Sequence, residues 1–395
     1  MIEKIRNNKL IRRRNLRMKI VYLDNAATTK MSDKVTNEMM KSFSENYGNP
    51  SSVHTLGQRA KSAMENARHI VAKNLKVETT EIVFTSGGAE GNNLVIRGFL
   101  KANKDKGKHI ITSKIEHSTI LKTFEQLEKE GYEVSYIGVD ENGVVDIEEL
   151  KRELREDTAL VSIMFVNNET GVIQPIKEIG EILAGKKIFF HTDAVQAIGK
   201  LEILPKNLKI GALTATAHKF YGPKGAGFVF IDKKYSLEKE IWGGSQERNR
   251  RAGTENVHGI LGLGVALEEV YENLEKMLEK EEKLQSYLEN KLKTEIGKLG
   301  KKIKINGEIA DRIKTTTNVY IEGVDIQMLL VALDLRGICI SGGSACMSGS
   351  LENSHVLKAM GLTDEELKGS FRISIGKDTT IEEIDYFVEN LIEVI

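Results

Sequence analysis

Several things are scarce in this sequence, and each scarcity excludes something. No apolar run approaches the roughly 18 residues that a membrane-spanning helix needs. The longest are stretches such as 159–166 and 328–333. There are two cysteines, Cys339 and Cys346. Two are too few for a disulfide framework, so a reducing compartment, the cytoplasm, is the expectation. The four prolines all fall in apparent loops, where a missing N–H breaks no ladder. Internal repeats and low-complexity linkers are absent. Net charge is absent too, with 57 basic against 57 acidic residues.

That balance conceals an asymmetry. Residues 1–19 carry eight Lys or Arg and one Glu, a net of +7, which leaves −7 for the remainder. The basic stretch lacks the apolar core of a secretory signal and the serines of an organelle transit peptide. We expect residues 1–18 to be a disordered extension, or an upstream start with Met18 as the true beginning. The mildly acidic body gives no reason to expect direct nucleic-acid binding, and neither a membrane association nor a metal site is expected.

At about 150 residues per domain, 395 residues allow two or three domains. A hydrophobic fraction of 40% and a charged fraction of 29% are ordinary for a globular chain. From residue 20 onward, strand-like runs at 81–84, 109–112, 133–137, 159–166, 187–191 and 226–231 alternate with amphipathic stretches such as 58–75 and 120–130. That alternation predicts an α/β fold with a mostly parallel sheet. Leucines and other apolar residues at helical spacing predict one connecting helix over 263–299. Shorter strands and helices beyond it read as a second, smaller α+β domain.

In such sheets ligands bind beyond the carboxyl ends of the strands, so the residues there carry the chemistry. One run leads into Ser86-Gly87-Gly88-Ala89-Glu90-Gly91 and a helix, a place where backbone N–H groups receive an anion. Another ends in His191-Thr192-Asp193, where the acid either faces the crevice or caps the next helix. A third ends in Thr216-Ala217-His218-Lys219, whose lysine is either a surface residue or a buried Schiff-base lysine. Jointly they form the set that pyridoxal phosphate requires. A lysine attaches the cofactor, an acid keeps its pyridine nitrogen protonated, and a loop holds its phosphate. Arg372 alternates with Phe371 and Ile373, so it points away from their apolar face, to solvent or to the crevice.

The sequence resembles the cysteine desulfurases of the NifS/IscS type, among the class V aminotransferase-like, fold type I pyridoxal phosphate enzymes. The resemblance rests on ordered motifs that span essentially everything after residue 19. They include Leu23-Asp24-Asn25-Ala26-Ala27, Glu116-His117, Asn167-Asn168-Glu169-Thr170-Gly171, His191-Thr192-Asp193-Ala194-Val195-Gln196, His218-Lys219, Arg251-Ala252-Gly253-Thr254, Ser344-Ala345-Cys346 and Arg372-Ile373-Ser374. It implies a large cofactor domain over 32–272 with a mostly parallel seven-stranded sheet. It also implies a small domain from 19–31 and 273–395 that carries the Cys346 loop.

By this resemblance Lys219 attaches the cofactor, Asp193 partners its ring nitrogen, and Gln196 donates to its phenolic oxygen. His117 stacks on the ring and relays protons. Asn168 lies near the ring oxygen and the substrate carboxylate, which Arg372 clamps. Gly88, Ala89, Thr216 and His218 hold the phosphate, with Thr254 reaching over from a second subunit of a homodimer. Cys346, in a polar Gly-rich segment, is the nucleophile that takes sulfur from L-cysteine and leaves L-alanine. The long stretch from Gly343 to His355 resembles the subgroup with the longer cysteine loop. Sulfur then passes to an acceptor protein, an iron–sulfur scaffold or a tRNA-thiolation enzyme. Cys339, in an apolar strand, reads as a small core residue.

Two positions depart from the family pattern. Ala89 stands where a phosphate-loop hydroxyl is common, and Thr216-Ala217 where Ser-Gly commonly precedes His-Lys. Rival readings are an aminotransferase or selenocysteine lyase on the same fold, and a sulfur-carrier platform without chemistry. An aminotransferase needs no nucleophilic thiol, and a platform needs no intact Lys219, Asp193, His117, Cys346 and Arg372.

Overall fold

The structure is a computed structural model and describes residues 19–343 and 354–395. The basic extension over 1–18 and Cys346 with its neighbours from 344 to 353 lie outside the described residues.

The described chain enters through a two-residue strand, β1 (Val21–Tyr22), whose partner comes from near the other end. Seven strands then form the central sheet: β2 (Ile82–Thr85), β3 (His109–Ser113), β4 (Glu133–Ile137), β5 (Thr158–Ser162), β6 (Phe189–Asp193), β7 (Ala212–Thr216) and β8 (Gly227–Ile231). Their order is β2-β8-β7-β6-β5-β3-β4. β8 runs antiparallel to both neighbours, and the other pairings are parallel.

Both faces of this sheet are covered, which explains its near-continuous apolar strands. The pleat sends alternate residues to opposite faces. Ile82, Phe84, Phe228 and Phe230 pack on one side, with residues of α1 (Asp33–Glu45) and α2 (Thr55–Leu75). Val83, Val229 and Ile231 pack on the other, with α3 (Gly88–Ala102) and α4 (Ser118–Lys129). On that side Phe99 of α3 stacks on Phe189 of β6, with ring centroids 4.0 Å apart. Burying each such phenylalanine contributes about 1.5–3 kcal/mol. Helix α3 lies directly on β7: a Cβ at Gly91 would sit 2.6 Å from Thr214 Cγ2, so only glycine permits the approach.

The helical pattern over 263–299 is not one helix. It divides at Asn273 into α5 (Val257–Glu272) and α6 (Leu274–Lys298). Asn273 has φ −116°, its N–H donates to Val270 O, and its side-chain amide donates to Glu269 O. An asparagine that bonds its own backbone competes with the helix ladder, and the chain turns there. The two parts serve different cores. Ile260, Leu263 and Leu267 of α5 join the large sheet, whereas Leu284, Leu288, Leu292 and Ile296 of α6 join a second cluster.

That second cluster is built on an antiparallel sheet of β9 (Ile303–Asn306), β10 (Thr316–Ile321) and β12 (Ser370–Ser374), with β10 central. Strand β11 (Ile338–Cys339) pairs in parallel with β1. Helix α7 (Ile381–Val394) packs Ile384, Phe387, Val388 and Leu391 into the same core, together with Val21 and Leu23. Cys339 is only partly buried, because it ends a short strand rather than crossing the core. Among the described residues no helix is long and apolar enough to cross a membrane.

Candidate active site

The apolar run 159–166 stays in the sheet only to Ser162. Beyond it, Met164, Val166 and Asn168 line a cavity of about 230 Å³ at the carboxyl ends of the parallel strands. Asp193, the last residue of β6, and Thr216, the last of β7, open onto the same space, as does Lys219 in the following 3-10 turn. Ala26 and Ala27 cross from β1, and Arg372 enters from β12. Residues remote in sequence therefore meet because two sheets abut here.

Asp193 is almost fully buried. Its Oδ1 accepts from Val195 N–H at 3.0 Å and its Oδ2 from Asn92 Nδ2 at 2.8 Å. It thus fastens its own turn and also faces the cavity. The Lys219 ammonium donates to the carbonyls of Ala26 at 2.6 Å and Ala27 at 2.8 Å. His117 caps α4, its Nδ1 accepting from Thr119 N–H at 3.2 Å. That bond leaves the proton of the neutral ring on Nε2. Burial holds the His117 imidazole below its ordinary range, and Lys219 and His355 push the same way against Asp193. Gln196 donates to Ala26 O at 2.8 Å.

Arg372 points to the crevice, not to solvent: it is 1% exposed. Its guanidinium is fixed by Asp24 Oδ1 and by Asn168 O, each at 2.8 Å. Its Nε is a buried donor with no partner among the described residues. At the opposite end, Gly88 and Ala89 start α3, whose first-turn N–H groups have no helical acceptor. His218 lies beside them on the cavity wall, its ring pushed down to about 4 by burial and then by Lys219 and Lys224.

Comparison with known proteins gives this arrangement a family. The class-V aminotransferase sequence family matches residues 21–387. The chain is 48% identical over 379 residues to a cysteine desulfurase IscS of Clostridium botulinum, covering 95% of this chain and 94% of that one. Among solved structures, a NifS-like protein superposes with a TM-score of 0.88 at 38% identity, over 95% of this chain and 99% of the other. A structure of SspA in complex with cysteine matches with a TM-score of 0.79 at 34% identity, over 91% and 99%. The chain belongs to the class-V aminotransferase family, in its cysteine desulfurase branch of the NifS/IscS type. Its architecture is that of fold type I, and the enzymes of this family use pyridoxal phosphate.

The residues present fit that cofactor on their own chemistry. A helix N-terminus flanked by Thr216 and His218 suits a phosphate. A buried carboxylate suits a pyridinium, and an amine beside it suits an aldehyde. Thr254 is not in this cavity; it is exposed, after Gly253.

Two buried residues, Asn92 on the cavity wall and Glu169 next to Asn168, have no role assigned from sequence. Asn92 contacts both Asp193 and Thr119, and its Oδ1 is buried without a partner among the described residues. Its signal was its place four residues after Gly88, on the same helix face. Glu169 is fully buried, and its Oε2 accepts from Ser354 Oγ at 2.5 Å. Burial raises the Glu169 carboxyl above its ordinary range, while His355 and Arg372 oppose the rise.

Proposed function

We propose that this chain is a pyridoxal-phosphate-dependent cysteine desulfurase that works as a homodimer in the cytoplasm. The observation that carries this reading is the one cavity shared by Lys219, Asp193, His117 and Arg372. L-cysteine is the proposed substrate, supported by the structural neighbour solved with cysteine.

Lys219 is the residue for covalent attachment, Asp193 for the ring nitrogen and Gln196 for the phenolic oxygen. Gly88, Ala89, Thr216 and His218 take the phosphate, with Thr254 of the second subunit. Bound there, pyridoxal phosphate supplies an electron sink for the bonds at the substrate α-carbon. Arg372 and Asn168 receive the substrate carboxylate, and the rigid ties of Arg372 to Asp24 and Asn168 O pre-set its plane. His117, neutral and with its proton on Nε2, exchanges a proton at the substrate. The Lys219 amine would hold the substrate α-proton.

Cys346 then attacks the substrate sulfur as a thiolate. A sulfur–sulfur bond forms and the substrate carbon–sulfur bond breaks. The released pair stays with the β-carbon, which takes a proton to become the methyl group of L-alanine. The Cys346 persulfide passes its outer sulfur to an acceptor protein, an iron–sulfur scaffold or a tRNA-thiolation enzyme.

Two variants test this reading. Cys346→Ala keeps the visible cofactor absorbance and stops alanine and sulfide production. Lys219→Ala loses covalent attachment. Full alanine production by Cys346→Ala would sink the proposal.

A further inference from the structure

Lys200 follows Gln196 by four residues, and its Nζ donates to Gln196 Oε1 at 2.7 Å. Lys200 also lines a second cavity, of about 630 Å³, whose walls include neither Gln196 nor Lys219. The amide of Gln196 is thereby oriented: its oxygen faces Lys200, and its Nε2–H faces Ala26 O and the first cavity. An isolated glutamine amide has two orientations of nearly equal shape, and only its partners choose between them. Here Lys200 and Ala26 choose together: Nζ donates to the amide oxygen, and a carbonyl oxygen can only accept from Nε2. Ala26 O also accepts from Lys219, so Lys200, Gln196, Ala26 and Lys219 form one hydrogen-bonded series.

Other charged groups act on Lys200. Burial pushes its amine down to about 7, with Lys219 and Arg372 pushing the same way. Glu281 on α6 opposes them, and its own carboxyl is raised to about 7 by burial. A lysine kept where it pays this electrostatic cost calls for a reason, and Gln196 is the polar group that its Nζ engages.

We propose that Lys200 is a positioning residue of the cofactor site, acting through Gln196 by locking its amide with the N–H edge toward the cofactor's phenolic oxygen. This inference rests on the reading of the cavity as a pyridoxal phosphate site and adds a residue to it that touches neither cofactor nor substrate.

The test is a double-mutant cycle on the full-length protein, read as the dissociation constant for pyridoxal 5′-phosphate and the position of the visible absorbance maximum. Lys200→Met keeps the stem and removes the donor. It weakens cofactor binding by about tenfold, the effect of one hydrogen bond. It also moves the absorbance maximum in the direction that Gln196→Ala moves it. In the Gln196→Ala background, Lys200→Met changes affinity by less than about twofold, because its only route is already cut. Lys200→Arg, which still donates, restores both readouts. A tenfold loss that persists in the Gln196→Ala background would overturn the inference, and so would a Lys200→Met protein with wild-type affinity and spectrum. Should Lys200→Met fail to fold, Lys200→Gln replaces it. Its amide donor retains affinity within about threefold if donation to Gln196 is what matters, and a larger loss overturns the inference. A wild-type chain that binds no cofactor removes the cofactor reading itself, whereas normal binding with additive losses removes only this inference.

Discussion

Asn92 Nδ2 donates to Asp193 Oδ2 at 2.8 Å, so an uncharged amide on α3 fixes the orientation of the acid at the end of β6. The same nitrogen lies 3.0 Å from Thr119 Oγ1, which lies 2.9 Å from His117 Nδ1. Asp193 and His117 are thus held relative to each other through one asparagine and one threonine. Replacing Asn92 by Ala leaves one Asp193 oxygen without its donor. A hydrogen bond to a charged group is worth about 1.5–3 kcal/mol, so cofactor affinity falls by about tenfold or more. Equilibrium titration with pyridoxal 5′-phosphate checks this, and an unchanged affinity would contradict it.

Ala89 is exposed at the first turn of α3, on the wall of the cavity. It offers a phosphate its backbone N–H and no hydroxyl. Ala89→Ser or Ala89→Thr adds a donor at that place. The expected gain is on the order of 1 kcal/mol, or about fivefold in cofactor affinity. The same titration reads it, and equal affinity in both variants refutes it.

Two buried groups contribute pH dependences of opposite sign to stability. Burial raises Glu116 from 4.5 to about 8, with Asp193 adding to the rise. The folded chain therefore keeps a proton that the unfolded chain loses. The stability from this group is complete below pH 4.5 and is lost as pH climbs to about 8. Burial lowers His191 to about 3, so its contribution is complete above 6.5 and is lost as pH falls toward 3. Glu116→Gln removes only the first term. Urea denaturation across this range will show a variant whose stability declines less from pH 5 to 8 than the wild type, at up to about 1.4 kcal/mol per pH unit. Parallel profiles would rule the assignment out.

Arg68 and Glu247 form a bidentate pair, both bonds 2.7 Å, with both side chains almost fully buried. Glu247 also accepts from Phe84 N–H at 2.8 Å and begins a run of three left-handed residues, Glu247, Arg248 and Asn249, with φ of 48°, 56° and 65°. Such backbone persists only where its surroundings fix it. Arg68→Met leaves a buried carboxylate unpaired and costs about 3–5 kcal/mol by chemical denaturation. A loss below about 1 kcal/mol, the worth of an exposed pair, would show that the pair is not what holds this run.

The sequence was most legible where chemistry follows a strand. Asp193 ends β6 and Lys219 stands in the turn that follows β7, and strand patterns locate both. Arg372 was legible only in part: its alternation with Phe371 and Ile373 gave a direction away from the core, but not whether water or protein lay there. That answer required Asp24, which arrives from a strand paired with the far end of the chain. Apolar spacing continues smoothly through Asn273, and periodicity does not register a backbone that turns while the pattern persists. Lys200 has no signature in the sequence, and Asn92 only its spacing from Gly88, because each pairs with a second residue, Gln196 or Asp193, once the helices and strands are placed.

The central claim is that sulfur leaves cysteine by way of Cys346. The most direct measurement is the mass of the Cys346-containing peptide after the purified, cofactor-loaded protein meets L-cysteine without reductant or acceptor, with alanine counted in the same sample. The account predicts one added sulfur atom on that peptide, alanine formed in step with it, and neither change in Cys346→Ala. Alanine formed at the wild-type yield with Cys346 unmodified would contradict it.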